Sequence, residues 1–130
     1  MSPTKAFAGV FGGVYLLVGL VGFAVTGGSM STHQLLGIFD LNVVHNIVHI
    51  AIGLLGLGAF AAGAAASRTY AIGLAVVYLV VAAAGFVTQP FLGIIPVGGA
   101  DIGLHVATAL VAIVAVAMSG GTVAASARRA

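Results

Sequence analysis

The stretch Leu41-Asn42-Val43-Val44-His45-Asn46-Ile47-Val48-His49-Ile50 sets two histidines and two asparagines in a run that otherwise has the composition of a hydrocarbon-embedded helix. Polar groups at that depth are costly and must face protein, ligand or water rather than acyl chains. At about 100° per residue, Asn42, His45, His49, Gly56, Phe60 and Gly63 fall on one stripe, with Asn46 and Gly53 at its edge. Val44, Ile47, Val48, Ala51, Leu54 and Leu55 take the opposite face. Small residues let helix backbones approach, whereas large aliphatics suit lipid. The pattern predicts a spanning helix whose polar stripe points into a bundle.

The rest of the chain agrees with that reading. Of 130 residues, 62% are hydrophobic and 5% charged, against about a quarter charged in a soluble domain. The composition is that of an integral membrane protein, and the length suits one domain over residues 1–130. Four apolar segments, at about 6–26, 41–62, 69–89 and 101–119, approach the roughly 20 residues that a bilayer core requires. The first is long for the apolar part of a signal peptide and is read as a retained helix. Gly27-Gly28-Ser29, Pro90 and Pro96-Val97-Gly98-Gly99 punctuate the segments. Asp40 and Asp101 stand at helix starts, where a carboxylate can cap or favour the positive dipole end. The expected fold is an all-α bundle of four transmembrane helices.

Charge placement predicts orientation. Lys5, Arg68, Arg128 and Arg129 fall on one side of such a bundle, Asp40 and Asp101 on the other. Basic loops stay cytoplasmic, so both termini are expected inside, in a bacterial cytoplasmic membrane. The absence of cysteine excludes disulfides, thiolate metal sites and cysteine nucleophiles. A net charge of +2 makes no case for nucleic acid. No phosphate loop, nucleophile–base pair or dinucleotide fingerprint is present, and no enzymatic activity is expected.

The sequence also repeats. Leu36-Gly37-Ile38 matches Leu92-Gly93-Ile94 at a spacing of about 56 residues, and at that spacing His49 matches His105 and His45 matches Asp101. Val14-Tyr15-Leu16 likewise resembles Val77-Tyr78-Leu79, and Gly22-Phe23 resembles Gly85-Phe86. Two similar helical hairpins in tandem are expected. In the fourth segment Asp101, His105, Thr108, Ala109, Ala112 and Ser119 share a face. His45, His49, Asp101 and His105 should therefore converge between the second and fourth helices.

The plainest use of such a cluster is interhelical hydrogen bonding, with Asn42 and Asn46 as further members, in a non-enzymatic membrane protein serving as an accessory or assembly subunit. Its partners would be the bilayer and a larger complex or further copies of itself. The alternative is a ligand site. His45 with His49, and Asp101 with His105, lie one helical turn apart, and three nitrogens with one carboxylate suit zinc, copper or iron. Haem b between His49 and His105 ranks lower, because its propionates would find no Lys or Arg on that side. Proton or small-solute transport ranks third. Tyr15 and Tyr78 read as packing residues, Tyr70 as an interfacial one, His33 as a solvated loop residue, and Gly9-x-x-x-Gly13 as a packing motif.

Asn42-Val43-Val44-His45-Asn46-Ile47-Val48-His49 resembles a family of small four-helix bacterial membrane proteins catalogued as domain of unknown function 4383. That family pairs an N-x-x-H-N-x-x-H stretch in its second helix with an N-G-A-D-N-x-x-H-like stretch opening its fourth. The second stretch is here Gly98-Gly99-Ala100-Asp101-Ile102-Gly103-Leu104-His105, where Asp101 and His105 match and Gly98 and Ile102 replace asparagine. The resemblance implies a fold and a membrane location and supplies no activity.

Overall fold

The computed structural model describes the backbone of residues 1–127 and side chains as far as Gly120; Arg128 and Arg129, read above as topology anchors, lie outside the described residues. Four helices account for most of the chain: α1 (Pro3–Thr26), α2 (Val43–Ala62), α3 (Ala64–Val87) and α4 (Ala100–Ala127). All four are long and apolar enough to cross a membrane. Ser2 caps α1 through its hydroxyl, which accepts the Lys5 N–H, and Gly27, in the left-handed region, closes it. Thr4 and Ser119 are in hydrogen-bond contact, so the start of α1 and the later part of α4 share one end of the bundle.

Three local expectations change. Asn42, rather than Asp40, caps α2: its Oδ1 accepts the His45 N–H at 3.0 Å. The turn between α2 and α3 shrinks to Gly63 alone, at φ 112°. A residue without Cβ tolerates that angle, and Ala64-Ala65-Ala66 are strong helix formers, so the chain re-enters a helix at once. Arg68 consequently lies on α3, where its guanidinium donates to the Val116 carbonyl at 2.9 Å. The loop after α1 also contains a short antiparallel pair, β1 (His33–Leu35) and β2 (Phe39–Leu41).

That pair reveals the repeat in the backbone. Leu35 pairs with Phe39 across Leu36 and Gly37, at φ 56° and 73°. In the second loop Phe91 bridges Ile95 across Leu92 and Gly93, at φ 52° and 76°. The Ile38 N–H meets the Leu35 carbonyl, as the Ile94 N–H meets that of Phe91. A leucine at positive φ is uncommon, and finding one at both matched positions shows that the two hairpins, α1–α2 and α3–α4, share one plan.

Within the first hairpin the helices touch backbone to backbone. A Cβ on Gly12 would lie 2.7 Å from the Leu57 nitrogen, one on Gly19 would lie 2.8 Å from the Asn46 carbonyl, and one on Gly53 would run into the Leu16 backbone. The motif expected at Gly9 and Gly13 is out of phase with this seam. A Cβ on Gly9 would meet only the Phe60 ring, while Gly13 faces open space. The lipid-facing assignment agrees with the structure, since Ile47, Leu54 and Leu55 are exposed on the bundle surface. Phe7, Tyr15, Leu74, Tyr78, Ala109 and Ala112 build the core that the four helices share.

Candidate metal centre

His45 and His49 lie in the first two turns of α2 and His105 in the second turn of α4, near the bundle end that carries both loops. All three are buried, at 3% exposure or less. The repeat explains their meeting, because corresponding turns of α2 and α4 turn the same face inward. One nitrogen from each ring can be chosen so that all lie within 4.8 Å of one another. The ring centroids of His45 and His49 are 4.4 Å apart and those of His45 and His105 are 6.2 Å apart.

Asp101 reaches the same region and turns away from the imidazoles. Its Oδ2 accepts the Asp40 N–H at 2.9 Å, and the Asp40 carbonyl lies 3.0 Å from His45 Nδ1. Expected as a fourth ligand, Asp101 instead braces β2, because a residue in the first turn of α4 lies beside that strand. With Nδ1 as the N–H that donates to Asp40, the His45 ring is held by backbone in the way common among metal-bound histidines, and Pro96 is a second backbone neighbour of the ring. Which nitrogen carries the proton is inferred from this contact.

The asparagines frame the cluster. Besides capping α2, Asn42 donates through Nδ2 to the Ile94 and Met30 carbonyls, at 2.7 and 3.3 Å, and so ties the two loops together. Asn46 donates to Thr26 Oγ1 at 3.0 Å, and its amide rests over Gly22, where any Cβ would collide with it. Neither joins the imidazoles. His33 stays in β1, half-buried, outside the three-histidine group.

Tyrosines wall the inner side. Tyr15 packs on His49 with ring centroids 5.3 Å apart, and Tyr78 on His105 at 4.6 Å, as the repeat requires. The two tyrosines meet edge to face at 5.4 Å, and the Tyr15 and Thr108 hydroxyls share a hydrogen bond of 2.8 Å. Read from sequence as packing residues, they pack against the site itself; the matched Val-Tyr-Leu triplets were the signal for that. Tyr70, expected at an interface, reaches across the bundle to donate to the Ile52 carbonyl at 3.2 Å.

Several buried polar atoms are left without hydrogen bonds: both ring nitrogens of His49, Nδ1 of His105, the Tyr78 hydroxyl and Oδ1 of Asn46. Beside the cluster lies a cavity of about 190 Å³, walled by the three histidines, Tyr78, Phe91 and Ile95 among others. It is too small for a porphyrin, and the haem reading loses its support. Three imidazoles without a carboxylate suit zinc, copper, iron or nickel.

Fold and cluster together define a small four-helix membrane protein with a buried polar centre at one end. The family described as "Domain of unknown function (DUF4383)" matches residues 5–118, and the chain belongs to that family. No curated protein and no solved structure matches it.

Proposed function

We propose that this protein binds one transition-metal ion, of zinc, copper or iron, through His45, His49 and His105, in a bacterial cytoplasmic membrane with both termini inside. The observation that carries the reading is the set of unpartnered imidazole nitrogens. A histidine that served only to fix helix register would be hydrogen-bonded, as buried polar groups nearly always are. His49 has no partner at either nitrogen, and a buried polar group left in that state costs about 1–3 kcal/mol. An ion bound at about 2.0–2.1 Å from one nitrogen of each ring would give His49 a partner at that nitrogen, after small ring rotations into the adjoining cavity. The Asp101–Asp40–His45 chain supplies the outer support that such a ligand needs. Three protein ligands leave a coordination position open for an exchangeable group. The reading is one of ligand holding, with no catalytic step.

The test is metal analysis of detergent-purified protein after dialysis against each ion in turn. One ion per chain is expected, lost in His49→Ala while helicity is retained. Folded wild-type protein that binds no more of any of the three ions than His49→Ala would overturn the proposal.

A further inference from the structure

The cavity beside the histidines adjoins a larger one. A groove of about 520 Å³ runs between α2 and α3, lined by Ile52, Leu55, Ala59, Tyr70, Gly73 and Val77 among others. It shares Ile52 and Val77 with the histidine cavity. Leu55 and Val77, on its two walls, are exposed on the surface that faces lipid. The groove therefore opens sideways on the lipid-facing surface, and its inner end, at Ile52 and Val77, stands against the histidine cavity.

We propose that this groove binds a single-chain lipid alcohol drawn from the bilayer, with its hydroxyl at His49, His105 and Tyr78 and its chain along the α2–α3 seam. Three features of the site choose this occupant. First, no Lys, Arg, Asp or Glu lines either cavity, and a charged head group would be left unpaired at large cost. Second, unpartnered polar groups are confined to the deep end, at His49, His105 and Tyr78. A neutral imidazole carries one donor and one acceptor, and a hydroxyl can satisfy both kinds. Third, the polarity runs in the direction in which a lipid lies. The histidines occupy the first turns of α2 and α4, near one membrane face, and the apolar groove descends from them along the helices. From His49 to Ala59 that descent is about 15 Å of helix rise, the reach of one alkyl chain. The inference goes beyond the metal reading and needs no ion.

The test uses the full chain in phosphatidylcholine nanodiscs and hexadecan-1-ol bearing a mid-chain diazirine. Irradiation should give saturable labelling on Leu55, Gly73 and Val77. Unlabelled hexadecanol should reduce it at least tenfold, hexadecane should not, and Gly73→Leu should abolish it. A side chain at position 73 enters open space, with nothing within 4 Å of its Cβ, so this variant fills the groove without disturbing the fold. Labelling that rises linearly with probe and spreads over Leu17, Leu110 and Val114 would overturn the proposal. Equal competition by hexadecane, or no effect of Gly73→Leu, would also overturn it. Metal content measured on the same discs separates the two readings. Metal-free protein with saturable labelling removes the ion and supports the groove, and metal-bound protein with diffuse labelling does the reverse.

Discussion

Where α1 crosses α2, glycines stand against backbone; where α3 crosses α4, alanines hold the matching places. Gly12, Gly19, Gly53 and Gly56 in the first hairpin correspond to Ala75, Ala82, Ala109 and Ala112 in the second, all four of them buried. The polar groups diverge in the same way. Asn46 fills the hollow over Gly22, and Ile102 fills the equivalent hollow over Gly85, its Cγ1 lying 3.1 Å from where a Cβ would stand. Tyr15 has Thr108 as a hydroxyl partner, whereas the residue matched to Thr108 is Ile52, and Tyr78 has no partner. At the site the first hairpin offers His45 and the second offers Asp101 in the matched place. One backbone plan thus yields an asymmetric centre, with three rings inside and one carboxylate bracing them.

The largest expected effect breaks the packing side of this comparison. Gly53→Leu should cost at least about 3 kcal/mol, because the side chain must displace the Leu16 backbone rather than a yielding neighbour. The matched change Ala109→Gly should cost only about 1 kcal/mol, a small cavity and the ordinary helix penalty of glycine. Unfolding in mixed micelles, followed by far-ultraviolet circular dichroism, would compare the two. Equal losses would mean that the hairpins pack alike.

The His45–Asp101 divergence comes next. Asp101→Ala should lower metal affinity about 10- to 100-fold through the freed Asp40 strand. Asp101→Asn, which keeps an acceptor for the Asp40 N–H, should lose less. Isothermal titration of the loaded ion reads both, and a collapse in stoichiometry with Asp101→Ala would instead mark Asp101 as a direct ligand.

The tyrosines give a smaller and sharper contrast. Tyr15→Phe strands Thr108 and should cost about 1–2 kcal/mol, while Tyr78→Phe removes an unpartnered hydroxyl and should change stability by less than about 0.5 kcal/mol. A comparably small effect is expected for Asn46→Ile, which gives the first hairpin what the second already has. It loses one hydrogen bond and one unpartnered carbonyl, so the change should stay within about 1 kcal/mol.

Much of this architecture is legible in the sequence because lipid imposes simple rules. Apolar length gives the spans, and the wheel places His45, His49 and His105 inward with Ile47 and Leu54 outward. The turn chemistry is less legible. Leu36 and Leu92 at positive φ are contrary to leucine's preference, so the β1–β2 pair has no local signature beyond the repeat itself. Asn42 stands three residues before His45, as a side-chain cap requires, but Asp40 is an equally good capping residue type two positions earlier, so the sequence does not single out Asn42. Side-chain direction is the least legible of all. Asp101 sits at the right height for a ligand, and only the position of the Asp40 strand, set by a turn that sequence does not announce, draws its carboxylate aside. The α2–α3 groove leaves no trace in composition, since it arises from where helices part rather than from what they carry.

The central claim is that three imidazoles from two hairpins hold one ion. X-ray absorption at the zinc edge of the zinc-loaded wild-type protein tests it most directly. The account predicts three imidazole nitrogens at about 2.0–2.1 Å, with the bound zinc lost in His49→Ala. A first shell of oxygens unchanged by that substitution would contradict it.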